Sequence, residues 1–309
     1  MGETTTLHRV NGKDFGPYII KKILKKGGMG IVMEGIQKRL NRTVAIKIIS
    51  AEMIAKNNIL EQFFHEAEIM AVLDHPHILP IYDAGLIDNV PYMVTKFIKG
   101  GDLCYYVEQN GPMKIYQVIR LLTGLIAGVR NISHHGIAHR DIKPQNILID
   151  HRICPFIMDF GLSVYKDSIP PEENGEIVGT PSCMSPERLN SQGKLFGELD
   201  DLYAVGATAF YALTGKMPFT GDYMEIISKV IHVTESPNPQ DINKEIPDNL
   251  TFFIMKLMDP NIKNRFENSD AALEHLTVIK TSYEENQGQK QRSWTGITSL
   301  AGKLTKSFD

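Results

Sequence analysis

The sequence predicts an α+β protein of two lobes, in which a small β-rich lobe with one helix precedes a larger helical lobe. Three observations support this prediction. Short β-like runs bounded by Gly, Asn or Asp dominate residues 18–97. Helical periodicity then takes over after Gly100-Gly101 and continues almost to the end of the chain. A length of 309 residues suits two domains or one bilobal unit.

Apolar runs of strand length predict the sheet of the small lobe, which we place at about residues 15–98. These runs are Tyr18–Ile20, Ile31–Met33, Val44–Ile49 and Pro91–Val94. Between the third and fourth runs, apolar residues recur at spacings of three and four from Asn58 to Leu73, which predicts the one helix of this lobe.

Helical spacing of apolar residues predicts the larger lobe, which we place at about residues 99–283. Its predicted helices are Ile115–Ile132, Leu199–Leu213, Tyr223–His232, Leu250–Met258 and Ala271–Thr281. Two short apolar runs, Ile147–Ile149 and Phe156–Met158, predict strands within this lobe. Residues 284–309 are predicted to form a linker and an amphipathic C-terminal tail.

Composition and charge exclude several classes of protein. Hydrophobic residues make up 42% of the chain and charged residues 22%, which is usual for a globular protein and unlike a disordered one. A net charge of -3 gives no case for nucleic acid as a partner. Cys104, Cys154 and Cys183 form neither a CxxC pair nor a zinc-ligand pattern, which favours a cytoplasmic location. No apolar run is long enough to predict a transmembrane segment.

A glycine cluster follows the first predicted strand. Gly27, Gly28 and Gly30 precede Val32 in the run GGMGIV, and the missing side chains would let backbone N–H groups approach phosphate oxygens. The same composition is typical of a simple hairpin turn. The glycine cluster therefore indicates a phosphate site only together with motifs further along the chain.

Three further motifs supply the groups that phosphoryl transfer requires, namely cations, carboxylates and metal ligands. The first is Val44-Ala45-Ile46-Lys47, followed on the predicted helix by Glu66, with Glu68 pointing about 200° away around that helix. The second is the run HRDIKPQN at residues 139–146, and the third is the run DFG at residues 159–161. A polar turn would not need Asp, Lys and Asn at the offsets found in the second motif.

In this order, the four motifs resemble those of the eukaryotic-type Ser/Thr protein kinases, especially the bacterial branch whose phosphate loop reads GGMG. The resemblance covers about residues 18–280. It implies the bilobal protein kinase fold, with a catalytic domain at residues 15–283. It also implies an ATP-dependent enzyme that phosphorylates Ser and Thr hydroxyls of protein substrates in signal transduction, including its own hydroxyls. Mg²⁺ is the implied metal, with Mn²⁺ as an alternative.

The resemblance implies a role for each matching catalytic residue. Lys47 would bind the α- and β-phosphates of ATP and would pair with Glu66. Asp141 would accept or orient the proton of the substrate hydroxyl, and Lys143 would stabilise the transferring phosphoryl group. Asn146 and Asp159 would hold the magnesium ion.

The resemblance also implies a nucleotide site between the lobes. Gly27, Gly28 and Gly30 would cover the phosphates, while Val32, Ala45 and Leu148 would enclose the adenine ring. The hinge residues Thr95, Lys96 and Ile98 would complete the site, with Thr95 guarding the back pocket. An apolar column would run through both lobes, formed by Met70, Ile81, Phe160 and His139.

The run GTPSCMSPE at residues 179–187 is similar to the end of the kinase activation segment. It implies an ion pair between Glu187 and Arg265, and Asp201 would brace the catalytic loop unless it is a surface helix cap. Small-molecule kinases of related fold generally lack the SPE run that ends this segment. A small-molecule kinase is therefore the function that we rank last.

Two residues depart from the family pattern. Lys25 stands in place of the first loop glycine, so the loop is expected to depart from its standard conformation. Cys183 stands in place of an aromatic residue, so the peptide-docking surface is expected to differ. These departures keep open the alternative of a pseudokinase scaffold that binds nucleotide without turnover. The intact catalytic set argues against that alternative.

Two hypotheses concern regulation. Between Gly161 and Gly179 the chain contains no threonine but several acidic residues. In relatives, a phosphate on this segment neutralises the arginine that corresponds to Arg140. Here Glu172 or Glu173 would supply that negative charge. A solvated acidic loop is the open alternative. The basic tail at residues 288–309 has one apolar helical face and would dock in cis, to a partner or to a membrane surface. The residues of that face are Trp294, Ile297, Ala301, Leu304 and Phe308.

Overall fold

The computed structural model describes most of the chain. The described residues are 12–27, 30–49, 54, 58–165, 179–190 and 197–304, with side chains described as far as residue 286. Gly28, the acidic residues Glu172 and Glu173, and the final residues 305–309 lie outside the described residues.

The small lobe is a six-stranded antiparallel sheet with one helix against it. The strand order is β1-β2-β3-β4-β6-β5. The strands are β1 (Asp14–Phe15), β2 (Tyr18–Gly27), β3 (Gly30–Gln37), β4 (Arg42–Ile48), β5 (Ile81–Ile87) and β6 (Val90–Lys96). Helix α1 (Ile59–Val72) contacts β5.

Alternation along the strands sends two sets of side chains to opposite faces of this sheet. Ile31, Met33, Val44 and Ile46 are buried on one face. Val32, Ala45, Lys47 and Thr95 are only half-buried on the other face. The register pairs Val32 with Lys47 and Ala45 with Thr95, so these four side chains share one patch of the sheet.

The large lobe is helical and surrounds one buried helix. Its helices are α2 (Leu103–Asn110), α3 (Ile115–His134), α4 (Pro186–Asn190), α5 (Glu198–Thr214), α6 (Tyr223–His232), α7 (Asp248–Leu257) and α8 (Ser269–Leu304). Helix α5 is buried on all sides from Asp200 to Thr214 because its residues are apolar or small nearly all round. It packs against α3 and α7.

Two pairs of short strands lie within the large lobe and flank the loop at residues 139–146. Strands β7 (Ile137–Ala138) and β10 (Val164–Tyr165) pair with each other, as do β8 (Ile147–Ile149) and β9 (Pro155–Ile157). Residues 139–146 form the loop that leaves β7 and enters β8. Both ends of this loop are therefore anchored in small sheets.

The described core divides into two hydrophobic clusters. The larger cluster fills the helical lobe and includes Ala67, Ile69 and Met70 from α1. The smaller cluster belongs to the sheet alone and includes Tyr18, Ile20, Val44 and Ile46. The Tyr18 and Tyr92 hydroxyls both donate to Asp83 Oδ2, at 2.7 and 2.8 Å, at the edge of that cluster.

The predicted bilobal α+β architecture is confirmed, with differences in individual elements. The predicted strand Phe156–Met158 is found one residue earlier, at Pro155–Ile157. The predicted helix Ala271–Thr281 belongs to a longer helix, α8, whose backbone continues to Leu304 through the predicted linker. Helix α2 and strand β5 were not predicted, because α2 has only one apolar turn and β5 alternates weakly. No helix in the described part of the chain is long and apolar enough to cross a membrane.

Candidate active site

Lys47 and Glu66 form a partly buried ion pair between the sheet and α1. Lys47 Nζ lies 2.7 Å from Glu66 Oε2 and 3.0 Å from Oε1. Glu66 is only 5% exposed, whereas Glu68 lies on the solvent side of the same helix, as the helical spacing predicts. Burial alone would lower the pKa of Lys47, but the carboxylates of Glu66 and Asp159 raise it above its ordinary value. The ammonium group therefore stays charged.

Asp141, Lys143 and Asn146 converge in the loop between β7 and β8. Lys143 Nζ lies 2.7 Å from Asp141 Oδ2. Asn146 Nδ2 donates to Asp141 Oδ2 at 2.8 Å and to the Asp141 carbonyl at 2.9 Å. Because Pro144–Asn146 form a single 3-10 turn, the chain folds back and brings Asn146 beside Asp141. The carboxylate is thus held by two side chains of its own loop.

The backbone before Asp141 adopts a strained conformation. Arg140 has φ 67°, in the left-handed region that non-glycine residues rarely adopt. The Asp201 carboxylate accepts hydrogen bonds from the backbone N–H groups of His139 and Arg140, both at 2.8 Å. Asp201 is therefore a buried brace of the catalytic loop and not a surface helix cap. Burial, with a smaller contribution from Asp200, raises the pKa of Asp201 to about 7.

Asp159 and Asn146, the two predicted metal ligands, lie on adjacent backbone segments. The Met158 N–H donates to the Asn146 carbonyl at 3.0 Å, which brings the residue before Asp159 onto Asn146. Asp159 has φ 66°. A carboxylate and an amide oxygen are a sparse donor set of the kind that magnesium completes with phosphate oxygens. Within the described chain, no three His, Cys, Asp or Glu side chains converge on a metal position.

The predicted apolar column is present in part as a packed contact. The Phe160 ring meets the His139 ring edge to face, with ring centroids 4.6 Å apart, and both side chains are fully buried. Phe160 and Met70 belong to the larger cluster, and Ile81 packs against it. The buried His139 ring has a lowered pKa because burial disfavours its charged form.

The predicted nucleotide residues line the half-exposed face of the sheet and the hinge. Val32, Ala45 and Thr95 share that face, and Leu148, on β8, is partly buried against the larger cluster. The side chains of two hinge residues, Lys96 and Ile98, contact groups outside this sheet face. Ile98 is buried in the larger cluster, and the Lys96 ammonium lies 4.6 Å from the centre of the Phe156 ring.

The glycine loop connects β2 and β3, with Gly27 paired to Gly30. Gly30 has φ 144°, and a Cβ there would lie 2.0 Å from the Ile48 carbonyl oxygen. A Cβ on Gly27 would meet no atom within 4 Å. Lys25 is an exposed residue of β2 that pairs with Val32, and the register of the two strands shifts between Ile23 and Lys25.

The end of the activation segment returns to the catalytic loop. A Cβ on Gly179 would lie 3.6 Å from Asp141 Oδ1, which places Thr180 near the catalytic carboxylate. The predicted ion pair is present: Arg265 donates from Nη1 to Glu187 Oε1 at 2.6 Å and from Nη2 to Oε2 at 2.7 Å. Cys183 is buried, and burial raises the pKa of its thiol to about 12. It therefore adds little to an exposed docking surface.

Sequence reasoning missed Arg188, Asp200 and Ser185. Arg188 donates to the Arg140 carbonyl and to Asp200 Oδ2, and Ser185 Oγ donates to Asp200 Oδ1 at 2.6 Å. The acidic pair Asp200-Asp201 at the start of an apolar helix was the available signal. A cavity of about 580 Å³ between α1 and β5 contains none of the catalytic residues, so it does not mark the site.

Comparison with known proteins agrees with this geometry. The family model for the protein kinase domain matches residues 18–277. Serine/threonine-protein kinase PrkC of Bacillus subtilis is 30% identical over 277 residues, covering 90% of this chain and 42% of the relative. Serine/threonine-protein kinase PknB of Mycobacterium leprae is 32% identical over 257 residues, covering 81% of this chain and 41% of the relative.

The chain spans less than half the length of these two relatives. The matched segment nevertheless contains the Lys47–Glu66 pair, the loop of Asp141 and Asn146, and Asp159. This chain therefore belongs to the protein kinase domain family.

Proposed function

We propose that the protein is an ATP-dependent serine/threonine protein kinase that also phosphorylates itself. The convergence of Lys143 and Asn146 on the Asp141 carboxylate carries this proposal, because phosphoryl transfer needs a positioned carboxylate beside cationic and metal-binding groups. The catalytic unit is residues 15–283. The names of the bacterial relatives support the same activity.

Residues of the chain bind the phosphates of ATP, orient the substrate hydroxyl and neutralise negative charge on the transferring group. Lys47, held charged by Glu66, is placed to bind the phosphates of ATP. Asp141 orients the substrate hydroxyl and receives its proton, while Lys143 stabilises negative charge on the transferring group. Asn146 and Asp159 would hold Mg²⁺ or Mn²⁺, which supplies further charge neutralisation at the phosphates.

Serine and threonine are the proposed acceptors for two reasons. Lys143, two residues after Asp141, is characteristic of the Ser/Thr branch and contacts the catalytic carboxylate. Thr180 follows Gly179, which lies against Asp141. The three free thiols support a reducing, cytoplasmic location, where ATP is abundant.

The basic segment 288–309 is proposed to dock in cis and to be released by autophosphorylation. Its helical apolar period and basic charge support docking, and its Ser and Thr residues are acceptors whose phosphates would cancel that charge. Docking to a partner protein or an anionic membrane surface would use the same face.

The test is incorporation of labelled phosphate from ATP by the full chain, with Asp159→Asn as the inactive variant. Asp88→Asn is the matched control, because Asp88 is an exposed turn residue that belongs to none of the catalytic motifs. We expect wild type and the control to incorporate label on Ser and Thr and Asp159→Asn to lose at least about 100-fold. A folded wild type that binds nucleotide but incorporates no label would instead support the pseudokinase alternative.

A further inference from the structure

Arg188 connects the end of the activation segment to the catalytic loop. It follows Glu187 in α4, and its guanidinium contacts both the Arg140 carbonyl and the Asp200 carboxylate. The exposed fractions of the Arg188 and Asp200 side chains are 11% and 6%. An arginine this deeply placed is screened little by solvent, so its contacts with these two acceptors are strong.

The peptide of Arg140 is held from both sides. Its N–H donates to Asp201, and its carbonyl accepts from Arg188. This residue has the strained φ of 67° and immediately precedes Asp141. Strained backbone persists only where surrounding groups hold it. Arg188 and Asp201 are two such groups, and a small rotation of this peptide would move the Asp141 carboxylate.

Asp200 and Ser185 determine the position of the guanidinium. Ser185 Oγ donates to Asp200 Oδ1 and accepts from the Arg188 backbone N–H at 3.3 Å. Arg188 Nη2 lies 3.7 Å from the Cβ position of Gly179, and Asp141 Oδ1 lies 3.6 Å from the same point. The network therefore borders the catalytic carboxylate, and Arg188, Asp200 and Ser185 are not among the residues proposed for the nucleotide.

We propose that Arg188, oriented by Asp200, is a positioning residue that holds the Arg140 carbonyl and thereby sets the orientation of Asp141. This inference rests on the proposed kinase activity. Removal of Arg188 is expected to slow transfer and to leave nucleotide binding nearly unchanged.

The experiment compares Arg188→Met, Arg188→Lys and Asp200→Asn in the full chain. Arg130→Met is the control, because Arg130, on α3, forms an exposed ion pair with Asp270 at 3.0 Å. Steady-state kcat, KM for ATP and the Kd of a non-hydrolysable ATP analogue are measured for each variant. We expect Arg188→Met to lower kcat about 10- to 100-fold with KM and Kd changed less than about threefold.

Arg188→Lys is expected to recover part of the loss, because an ammonium can still donate to one acceptor. Asp200→Asn is also expected to lower kcat, as Arg188→Met does, because the guanidinium of Arg188 would lose the carboxylate that orients it. A wild-type kcat in folded Arg188→Met, or equal losses in kcat and in analogue affinity, would overturn the inference. If Arg188→Met does not fold, the Lys and Asn variants decide by the same criteria. An inactive wild type would overturn the proposed function instead.

Discussion

At the scale of single residues, the buried carboxylate of Asp201 links the catalytic loop to pH. Its pKa is raised to about 7 by burial, with Asp200 adding to the effect, while the backbone N–H groups of His139 and Arg140 and the Arg188 cation oppose it. Protonation removes an acceptor from one of those N–H groups. We therefore expect kcat at saturating ATP to fall as the pH drops through about 7.

Stability should respond to the same proton with the opposite sign. The folded protein binds this proton more tightly than the unfolded chain, because the ordinary pKa of an aspartate such as Asp201 is 3.8. The stabilisation is therefore full at low pH and is lost as the pH rises through about 7. The measurement is kcat and melting temperature against pH for wild type and Asp201→Asn. An unchanged acidic limb of kcat in Asp201→Asn would contradict the assignment.

Residues within one motif were predictable from sequence, and residues paired across the chain were not. Asp141, Lys143 and Asn146 lie in one loop, so their spacing already implied a shared site. Arg188 and Asp200 meet only because α4 folds back against α5. No local pattern encodes such a contact, and the surface behaviour usual for arginine argued against it.

At the scale of secondary structure elements, Gly30 marks a close approach between β3 and the end of β4. A side chain there would meet the Ile48 carbonyl and would adopt an unfavourable φ. We expect Gly30→Ala to destabilise the protein by about 1–3 kcal/mol. Gly27→Ala is the matched control, because its Cβ enters open space and should change stability by less than about 1 kcal/mol. Urea unfolding of both variants is the measurement, and equal stabilities would contradict the prediction.

The ion pair between Glu187 and Arg265 joins α4 to the chain before α8. The Arg265 side chain is buried, so Arg265→Met leaves Glu187 without its bidentate partner. We expect a loss of about 3 kcal/mol or more in the free energy of unfolding. Arg130→Met, at an exposed pair, should cost less than about 1 kcal/mol. Thermal and urea unfolding report both values, and a loss at Arg265 no larger than at Arg130 would show that the pair adds nothing to stability.

Apart from the C-terminal end of α8, the long periodic helices were predicted to within a few residues, whereas short elements depended on tertiary packing. Helix α1 was predicted at Asn58–Leu73 and is found at Ile59–Val72. Strand β5 was missed because Asp83 and Gly85 interrupt its apolar pattern, although the Tyr18 and Tyr92 hydroxyls satisfy Asp83 in the folded protein. Such a polar strand residue becomes favourable only once distant partners reach it.

At the scale of the whole molecule, the described core ends before the tail. Ala272, Leu276 and Ile279 are the buried apolar residues in the described part of α8, and residues 281–286 are exposed or half-buried. Truncation after Gln287 should therefore shift the melting temperature by less than about 2 °C. Kinetics and liposome binding of the truncated chain should differ from full length if the tail docks. A large fall in melting temperature would place the tail in the core instead.

The two hydrophobic clusters do not follow the boundary between the lobes. Helix α1 belongs to the small lobe by position, yet its apolar face belongs to the cluster of the large lobe. Amide hydrogens of α1 should therefore exchange with solvent together with those of α3 and α5, while the sheet opens as a separate cooperative unit. Since Lys47 lies in the sheet and Glu66 in α1, their ion pair joins the two units. Local opening of the sheet would thus separate Lys47 from Glu66 while the large lobe stays folded.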